Sequence, residues 1–125
     1  MHKSKRRIAV VDDDAPVMKA LMRLLETSYY DVRGFTSAHE LLCGLSDGVP
    51  ECMIVDLQMP NMTGLELQHH LARIGIKVPT IVITAHDEPG YRERCIAAGA
   101  AAYLLKPIRR AALLTAIDQA IETST

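Results

Sequence analysis

The 125-residue sequence lacks the features that mark several broad classes of protein. It has no apolar run long enough to cross a bilayer and no signal-peptide core, so we expect a cytoplasmic protein that does not associate with membranes. The formal net charge is only −1, which argues against direct nucleic-acid binding by this chain. Cys43, Cys52 and Cys95 show no C-x-x-C spacing and therefore predict free thiols in a reducing compartment, buried or half-buried as small hydrophobic residues.

Short apolar runs alternate with amphipathic stretches along the whole chain. The runs predict five strands, and the stretches that follow them predict five helices. The predicted strands cover residues 8–11, 30–35, 53–55, 80–84 and 102–105, and the fourth predicted helix covers residues 87–98. Strict alternation favours one α/β domain, in which a doubly wound parallel sheet is covered by helices on both faces. A length of 125 residues is typical of a single domain.

Two of the predicted strands end in carboxylates. Asp12 and Asp13 follow the first strand, and Asp56 follows the third. In an open parallel sheet, ligands bind beyond the carboxyl ends of the strands, at the point where strand order reverses. If the order is 2-1-3-4-5, these like charges face each other across one crevice and repel unless a cation holds them together. Oxygen ligands of this kind favour Mg²⁺ or Mn²⁺ over zinc.

Asp56 stands alone at the end of its strand, which suggests a nucleophile. An aspartate carboxylate can attack a phosphoryl group and become an acyl phosphate. Phosphoryl transfer also requires neutralisation of the charge on the equatorial oxygens. The metal can take one oxygen, the Lys106 ammonium a second, and the Thr84 hydroxyl with backbone N–H groups the third. Thr84 ends the fourth predicted strand and Lys106 follows the fifth, at the same edge of the sheet.

Four segments in a fixed order contain these residues: Val10–Asp14, Ile54–Gly64, Ile83–Ala85 and Tyr103–Pro107. Together they resemble the receiver domain of two-component response regulators, and the similarity covers about residues 6–121. The resemblance implies a single receiver domain over residues 1–125 with a flavodoxin-like (βα)5 fold and strand order 2-1-3-4-5. It further implies a regulatory phosphoacceptor switch, not a metabolic enzyme, that slowly dephosphorylates itself. Phosphate would pass to Asp56 from a sensor histidine kinase or a phosphotransfer protein.

The resemblance also implies a ligand set for the metal. Asp13 would ligate Mg²⁺ directly, Asp12 would act through water, and the set would also include Asp56 and the Gln58 backbone carbonyl. A cis peptide is implied between Lys106 and the proline that follows it.

Thr84 and Tyr103 match the switch pair of the same family. After phosphorylation, the threonine hydroxyl is expected to move toward the phosphate and the aromatic ring to turn inward. The face formed by the fourth helix, fifth strand and fifth helix would then change its partners. Family members that dimerise through charged pairs carry acids just before the switch tyrosine, whereas residues 100–102 here are all alanine. That mode of dimerisation is unsupported, and a phosphorylation-dependent homodimer stays open.

Other properties also stay open at this point. Gln58 and His86 occupy positions that tune acyl-phosphate lifetime in the family, but they do not predict a lifetime here. The kinase, its signal and the output partner are not encoded in a recognisable way. The chain either stands alone or is a fragment of a longer DNA-binding regulator.

Two alternative functions share parts of this pattern. Asp12-x-Asp14 after an apolar strand is also typical of haloacid-dehalogenase-type phosphatases, in which the first aspartate is the nucleophile and the second the acid/base. Those enzymes are normally longer and need further acids late in the chain. A flavin-binding flavodoxin has little support, because no phosphate loop follows the first strand and the sequence contains no tryptophan.

Overall fold

The computed structural model describes residues 5–124, which form five strands alternating with five helices. The elements are β1 (Arg7–Val11), α1 (Ala15–Glu26), β2 (Asp31–Phe35), α2 (Ala38–Gly44), β3 (Cys52–Asp56), α3 (Gly64–Arg73), β4 (Thr80–Thr84), α4 (Tyr91–Ala97), β5 (Ala100–Leu105) and α5 (Arg110–Ser124), with one 3₁₀ turn at Leu45–Asp47. All neighbouring strands pair in parallel, in the order β2-β1-β3-β4-β5. The predicted doubly wound, flavodoxin-like α/β fold is therefore confirmed.

The sheet has an apolar layer on each of its two faces. Successive residues of a strand point to opposite faces, and β1 follows this rule. Ile8 and Val10 pack with the buried residues of α1 and α5, whereas Ala9 and Val11 pack with those of α2 and α3. All five residues of β3 are buried, as expected for the central strand of a parallel sheet that is covered on both sides. Among residues 5–124, no helix has the length and apolar character needed to span a bilayer.

Side-chain caps fix where the helices next to the site begin. Asp14 is the N-cap of α1 and accepts a hydrogen bond from the Val17 backbone N–H at 3.2 Å. Thr63 and Glu66 form a capping box at the start of α3, in which each side chain accepts a hydrogen bond from the other residue's backbone N–H. Both helices consequently begin shortly after the strands that carry the acidic residues.

Two local predictions were wrong. We expected the fourth helix to begin at Asp87, but α4 begins at Tyr91, after Gly90 with its left-handed φ of 91°. Residues 87–90 form a loop because a left-handed backbone at Gly90 interrupts the helix at that point. We also expected all three cysteines to be at least half-buried, and Cys43 is exposed whereas the other two are buried.

The start of α3 packs tightly against the end of β3. A Cβ atom added at Gly64 would lie 2.7 Å from the Asp56 backbone oxygen and 3.1 Å from the Leu57 Cα. Since both neighbours are backbone atoms, Gly64→Ala is expected to lower the free energy of unfolding by about 1–3 kcal/mol, measured by urea denaturation. Gly34→Ala is the control, because its Cβ would meet the flexible ends of Met18 and Met22. Equal losses in the two variants would contradict the role given to backbone packing.

Candidate functional site

The polar residues singled out in the sequence meet at one edge of the sheet. Asp12 directly follows β1, Asp56 is the last residue of β3, Thr84 is the last residue of β4, and Lys106 directly follows β5. These positions lie at the carboxyl ends of parallel strands, and β1 and β3 are neighbours at the point where strand order reverses. The geometry predicted for the acids of the first and third strands is therefore present.

Three carboxylates form the centre of the site. One ligand oxygen each from Asp12, Asp13 and Asp56 lies within 4.8 Å of the others. Asp12 and Asp56 are buried, and Asp13 is exposed, so the cluster opens to solvent on one side. Carboxylates this close repel each other, and a hard cation that keeps several waters suits both the charge and the oxygen donors. The donor set therefore fits Mg²⁺.

Lys106 supplies positive charge to the same cluster. Its Nζ lies 2.9 Å from Asp12 Oδ2 and 3.7 Å from Asp56 Oδ2. The Lys106 backbone N–H donates to the Thr84 carbonyl at 2.8 Å, and the peptide to Pro107 is cis. The ammonium group is thus held between the two buried carboxylates.

Both oxygens of Asp12 already have partners. Its Oδ1 accepts a hydrogen bond from the Asp14 backbone N–H at 2.9 Å, and its Oδ2 accepts one from Lys106 at 2.9 Å. The residue is fully buried. Asp12 is consequently less available for direct attack on a substrate than Asp56, and Asp14 is engaged as a helix cap.

The environment of Asp56 disfavours its charged form. Burial is the main cause that raises its pKa from 3.8 to about 6, and the neighbouring Asp12 carboxylate adds to the effect. The Lys106 ammonium and the Gln58 backbone N–H act in the opposite direction but only partly compensate. A bound cation would favour the carboxylate form.

The raised pKa of Asp56 makes a prediction about stability. In metal-free solution at neutral pH, Asp56→Asn is expected to raise the free energy of unfolding by about 1–3 kcal/mol, because it removes a charge that the folded site disfavours. The folded-state pKa of about 6 lies above the ordinary value of 3.8. The loss of wild-type folding stability is therefore absent below pH 3.8, grows between 3.8 and about 6, and is constant at higher pH. Urea denaturation with a chelator, repeated across pH, measures this. A stability difference that does not change with pH would contradict it.

Thr84 and Gln58 are connected by their side chains. Thr84 is fully buried, and its Oγ1 accepts a hydrogen bond from the His86 backbone N–H at 3.0 Å. The same hydroxyl lies 3.1 Å from Gln58 Oε1, and Gln58 Nε2 donates to the His86 carbonyl at 3.0 Å. The sequence predicted a metal-ligand role for the Gln58 backbone carbonyl and a position that tunes acyl-phosphate lifetime, but not the contact of its side chain with Thr84. This side-chain contact spans 26 residues of sequence, and no local pattern signals it.

Tyr103 is buried, and its ring is turned inward. Its hydroxyl donates a hydrogen bond to Asp87 Oδ1 at 2.7 Å, and the Arg92 guanidinium carbon lies 5.9 Å from the ring centroid. Burial and the Asp87 carboxylate both raise the pKa of the tyrosine. The hydrogen bond between Tyr103 and Asp87 was not predicted from the sequence, because residues 87–98 were expected to form a helix and Asp87 lies in a loop.

Comparisons with known proteins agree with this arrangement. The family model described as the response regulator receiver domain matches residues 8–118. Nodulation protein W of Bradyrhizobium diazoefficiens is 34% identical over 119 residues, which cover 95% of this chain and 52% of that protein. The transcriptional regulatory protein FixJ of Rhizobium meliloti is 33% identical over 115 residues, which cover 92% and 56% of the two chains. This chain therefore spans about half the length of the curated relatives it matches.

Solved structures show the same relationship. The crystal structure of FixJ-N aligns with a TM-score of 0.87 and 32% identity, covering 98% of this chain and 96% of that one. A response regulator receiver protein from Burkholderia phymatum is 42% identical, with a TM-score of 0.83 and coverage of 94% and 96%. With a family model that spans most of the sequence and relatives above 30% identity along nearly all of it, the chain belongs to the response regulator receiver domain family.

Proposed function

We propose that the chain, as a single receiver domain over residues 1–125, is a phosphoacceptor switch in which Asp56 accepts a phosphoryl group with the help of Mg²⁺. The observation that carries the proposal is the cluster of Asp12, Asp13 and Asp56 beside the Lys106 ammonium. Membership of a regulatory family supports the same conclusion. The donor would be the phosphohistidine of a sensor histidine kinase or of a phosphotransfer protein.

The exposure and the hydrogen-bond partners of the three aspartates support different roles for them in metal binding. Asp13 is exposed and lies with Asp56 in the carboxylate cluster, so these two residues suit direct ligation of the cation. Asp12 suits contact through water, because both of its oxygens already accept hydrogen bonds. The Gln58 backbone carbonyl would complete the protein's share. When bound, Mg²⁺ supplies charge neutralisation at the phosphoryl oxygens.

The transfer itself requires one bond to form and one to break. A carboxylate oxygen of Asp56 attacks phosphorus, the phosphorus–nitrogen bond of the phosphohistidine breaks, and the nitrogen leaves with the electron pair. Lys106 Nζ lies 3.7 Å from Asp56 Oδ2, and this proximity supports its pairing with an oxygen of the transferred group. Slow attack by water on the resulting acyl phosphate would return the domain to its starting state.

The switch would be transmitted through Thr84 and Tyr103. In this structure the ring is already inward and the Thr84 hydroxyl is engaged by Gln58 and His86. We therefore expect the hydroxyl to leave these partners when a phosphate is present, since the phosphate is the stronger acceptor. The surface of α4, β5 and α5 would change in consequence, and it already exposes Ile96 and Leu105. An output partner or domain, or a second copy, would read this surface.

The phosphatase alternative predicts a different modified residue. It requires Asp12 as nucleophile, but Asp12 is fully buried with both oxygens engaged, and Asp14 caps α1. The deciding experiment is incubation with acetyl phosphate and Mg²⁺, followed by intact-mass analysis and peptide mapping. We expect one phosphoryl group on Asp56. Modification of Asp12 would favour the phosphatase and reject the switch.

A further inference from the structure

One pair of potential metal ligands lies outside the carboxylate site. His39 and Cys43 are four residues apart in α2 and therefore lie on the same face of the helix. Both side chains are exposed, and Cys43 Sγ lies 3.7 Å from His39 Nε2. Cys52 and Cys95, in contrast, are buried. Among residues 5–124, Cys43 is therefore the only exposed cysteine, and its thiol is in contact with an imidazole.

The spacing of the two atoms matches the geometry of a tetrahedral zinc site. Zinc–sulfur and zinc–nitrogen bonds of about 2.3 and 2.0–2.1 Å, at a tetrahedral angle, place the two ligand atoms about 3.6 Å apart. The observed 3.7 Å, at present a thiol–imidazole hydrogen-bond contact, is compatible with this separation. Helical metal sites also use ligands at this i, i+4 spacing. A thiolate and an imidazole are ligands that thiophilic cations prefer and that Mg²⁺ does not.

No third potential ligand joins the pair among residues 5–124, where the one group of three or more such residues is the carboxylate cluster. Glu40 Oε1 accepts hydrogen bonds from the Thr36 backbone N–H at 2.7 Å and from the Thr36 hydroxyl at 2.8 Å. Asp47 lies 3.5 Å from an Arg33 nitrogen in an exposed ion pair. Structural zinc sites take four protein ligands, so the described part of the chain leaves two ligands missing. A two-fold arrangement supplies them from an identical exposed pair.

We propose that His39 and Cys43 form a binding site for a thiophilic divalent cation such as Zn²⁺, completed by the same two residues of a second copy of the chain. The site is independent of the carboxylate cluster, because it shares no residue with it and uses ligands of a different class. Zinc would thereby link two copies through α2, without phosphorylation.

Cobalt substitution tests the ligand assignment. The full chain, kept reduced and with excess Mg²⁺ present, is titrated with Co²⁺, and we expect a thiolate-to-cobalt charge-transfer band that carboxylate ligands cannot produce. Cys43→Ser should abolish the band. Loss of an outer-shell partner weakens metal binding by about 10–100-fold. His39→Ala removes a direct ligand, so it should weaken cobalt binding by more than that. His69→Ala, which changes an exposed histidine on α3, is the matched control and should leave the band unchanged.

Light scattering with Zn²⁺ tests the second copy. We expect one zinc per two chains and a dimer that a chelator reverses, with Cys43→Ser and His39→Ala remaining monomeric under the same conditions. Absence of the thiolate band in the wild type, or a band of equal affinity in His39→Ala, would overturn the site. A complex of one zinc with one chain would overturn its completion by a second copy.

Discussion

Asp56→Asn is expected to abolish phosphoryl uptake from acetyl phosphate, with a loss of at least about 10³-fold. The asparagine amide has nearly the same shape as the carboxylate, but it is neither a nucleophile toward phosphorus nor an anionic ligand for Mg²⁺. The measurement is the rate at which intact mass increases by one phosphoryl group in the presence of Mg²⁺. Far-UV circular dichroism of the same samples verifies that the fold is retained.

Asp14→Asn is the matched control for this loss. Asp14 is adjacent to the metal-binding acids in sequence but is exposed and caps α1 through Val17. Asparagine caps helices about as well as aspartate, so both the fold and the phosphoryl uptake should be preserved. Wild-type uptake by Asp56→Asn, or loss of uptake in Asp14→Asn alone, would reject Asp56 as the acceptor.

The second large effect is expected from Lys106→Met. In the wild type the Lys106 ammonium lies 2.9 Å from the Asp12 carboxylate. The substitution removes this ion-pair partner and leaves the Asp12 carboxylate fully buried without it. In metal-free solution at neutral pH, the free energy of unfolding should fall by about 2–4 kcal/mol, toward the lower end because the ammonium is partly exposed. Mg²⁺ should return part of this stability, since it supplies the missing positive charge to the same carboxylates.

The control for Lys106→Met is an ion pair on the surface. Arg6 Nη1 lies 3.5 Å from Glu51 Oε2 with both side chains exposed, and Arg6→Met should cost no more than about 1 kcal/mol. Urea denaturation of both variants, with chelator and with Mg²⁺, gives the comparison. If Lys106→Met is as stable as the wild type without metal, the ammonium does not compensate the buried carboxylates.

Most of the fold could be predicted from local patterns in the sequence. Apolar runs and turn residues report on backbone geometry within a few residues, so the five strands could be predicted from neighbours alone, and the caps at Asp14 and Thr63 depend on contacts of equally short range. The exposure of Cys43 was also within reach of such reasoning. Ala38 and Leu41 are the buried residues of α2, and Cys43 follows Leu41 by two positions, which places it on the opposite side of the helix.

The acids of the candidate site were predicted for a different reason. Parallel strands bring their carboxyl ends to one edge, so the sequence positions of Asp12, Asp56 and Lys106 implied their proximity once the strand order was assumed. The assumed order is the one observed. The hydrogen-bonding and protonation states of these side chains could not be predicted in the same way. The engagement of both Asp12 oxygens and the raised pKa of Asp56 depend on distances and burial that strand ends do not specify.

The sequence by itself determined the alternation of elements, the residue types at the strand ends and hence the chemistry available there, because each depends on short-range propensity and periodicity. Only the tertiary structure decided which side chains pair across long separations: Thr84 with Gln58, Tyr103 with Asp87, and Lys106 with Asp12. Such contacts depend on the packing of whole elements, since residues 16 to 94 positions apart meet through the fold and not through any local preference of the chain.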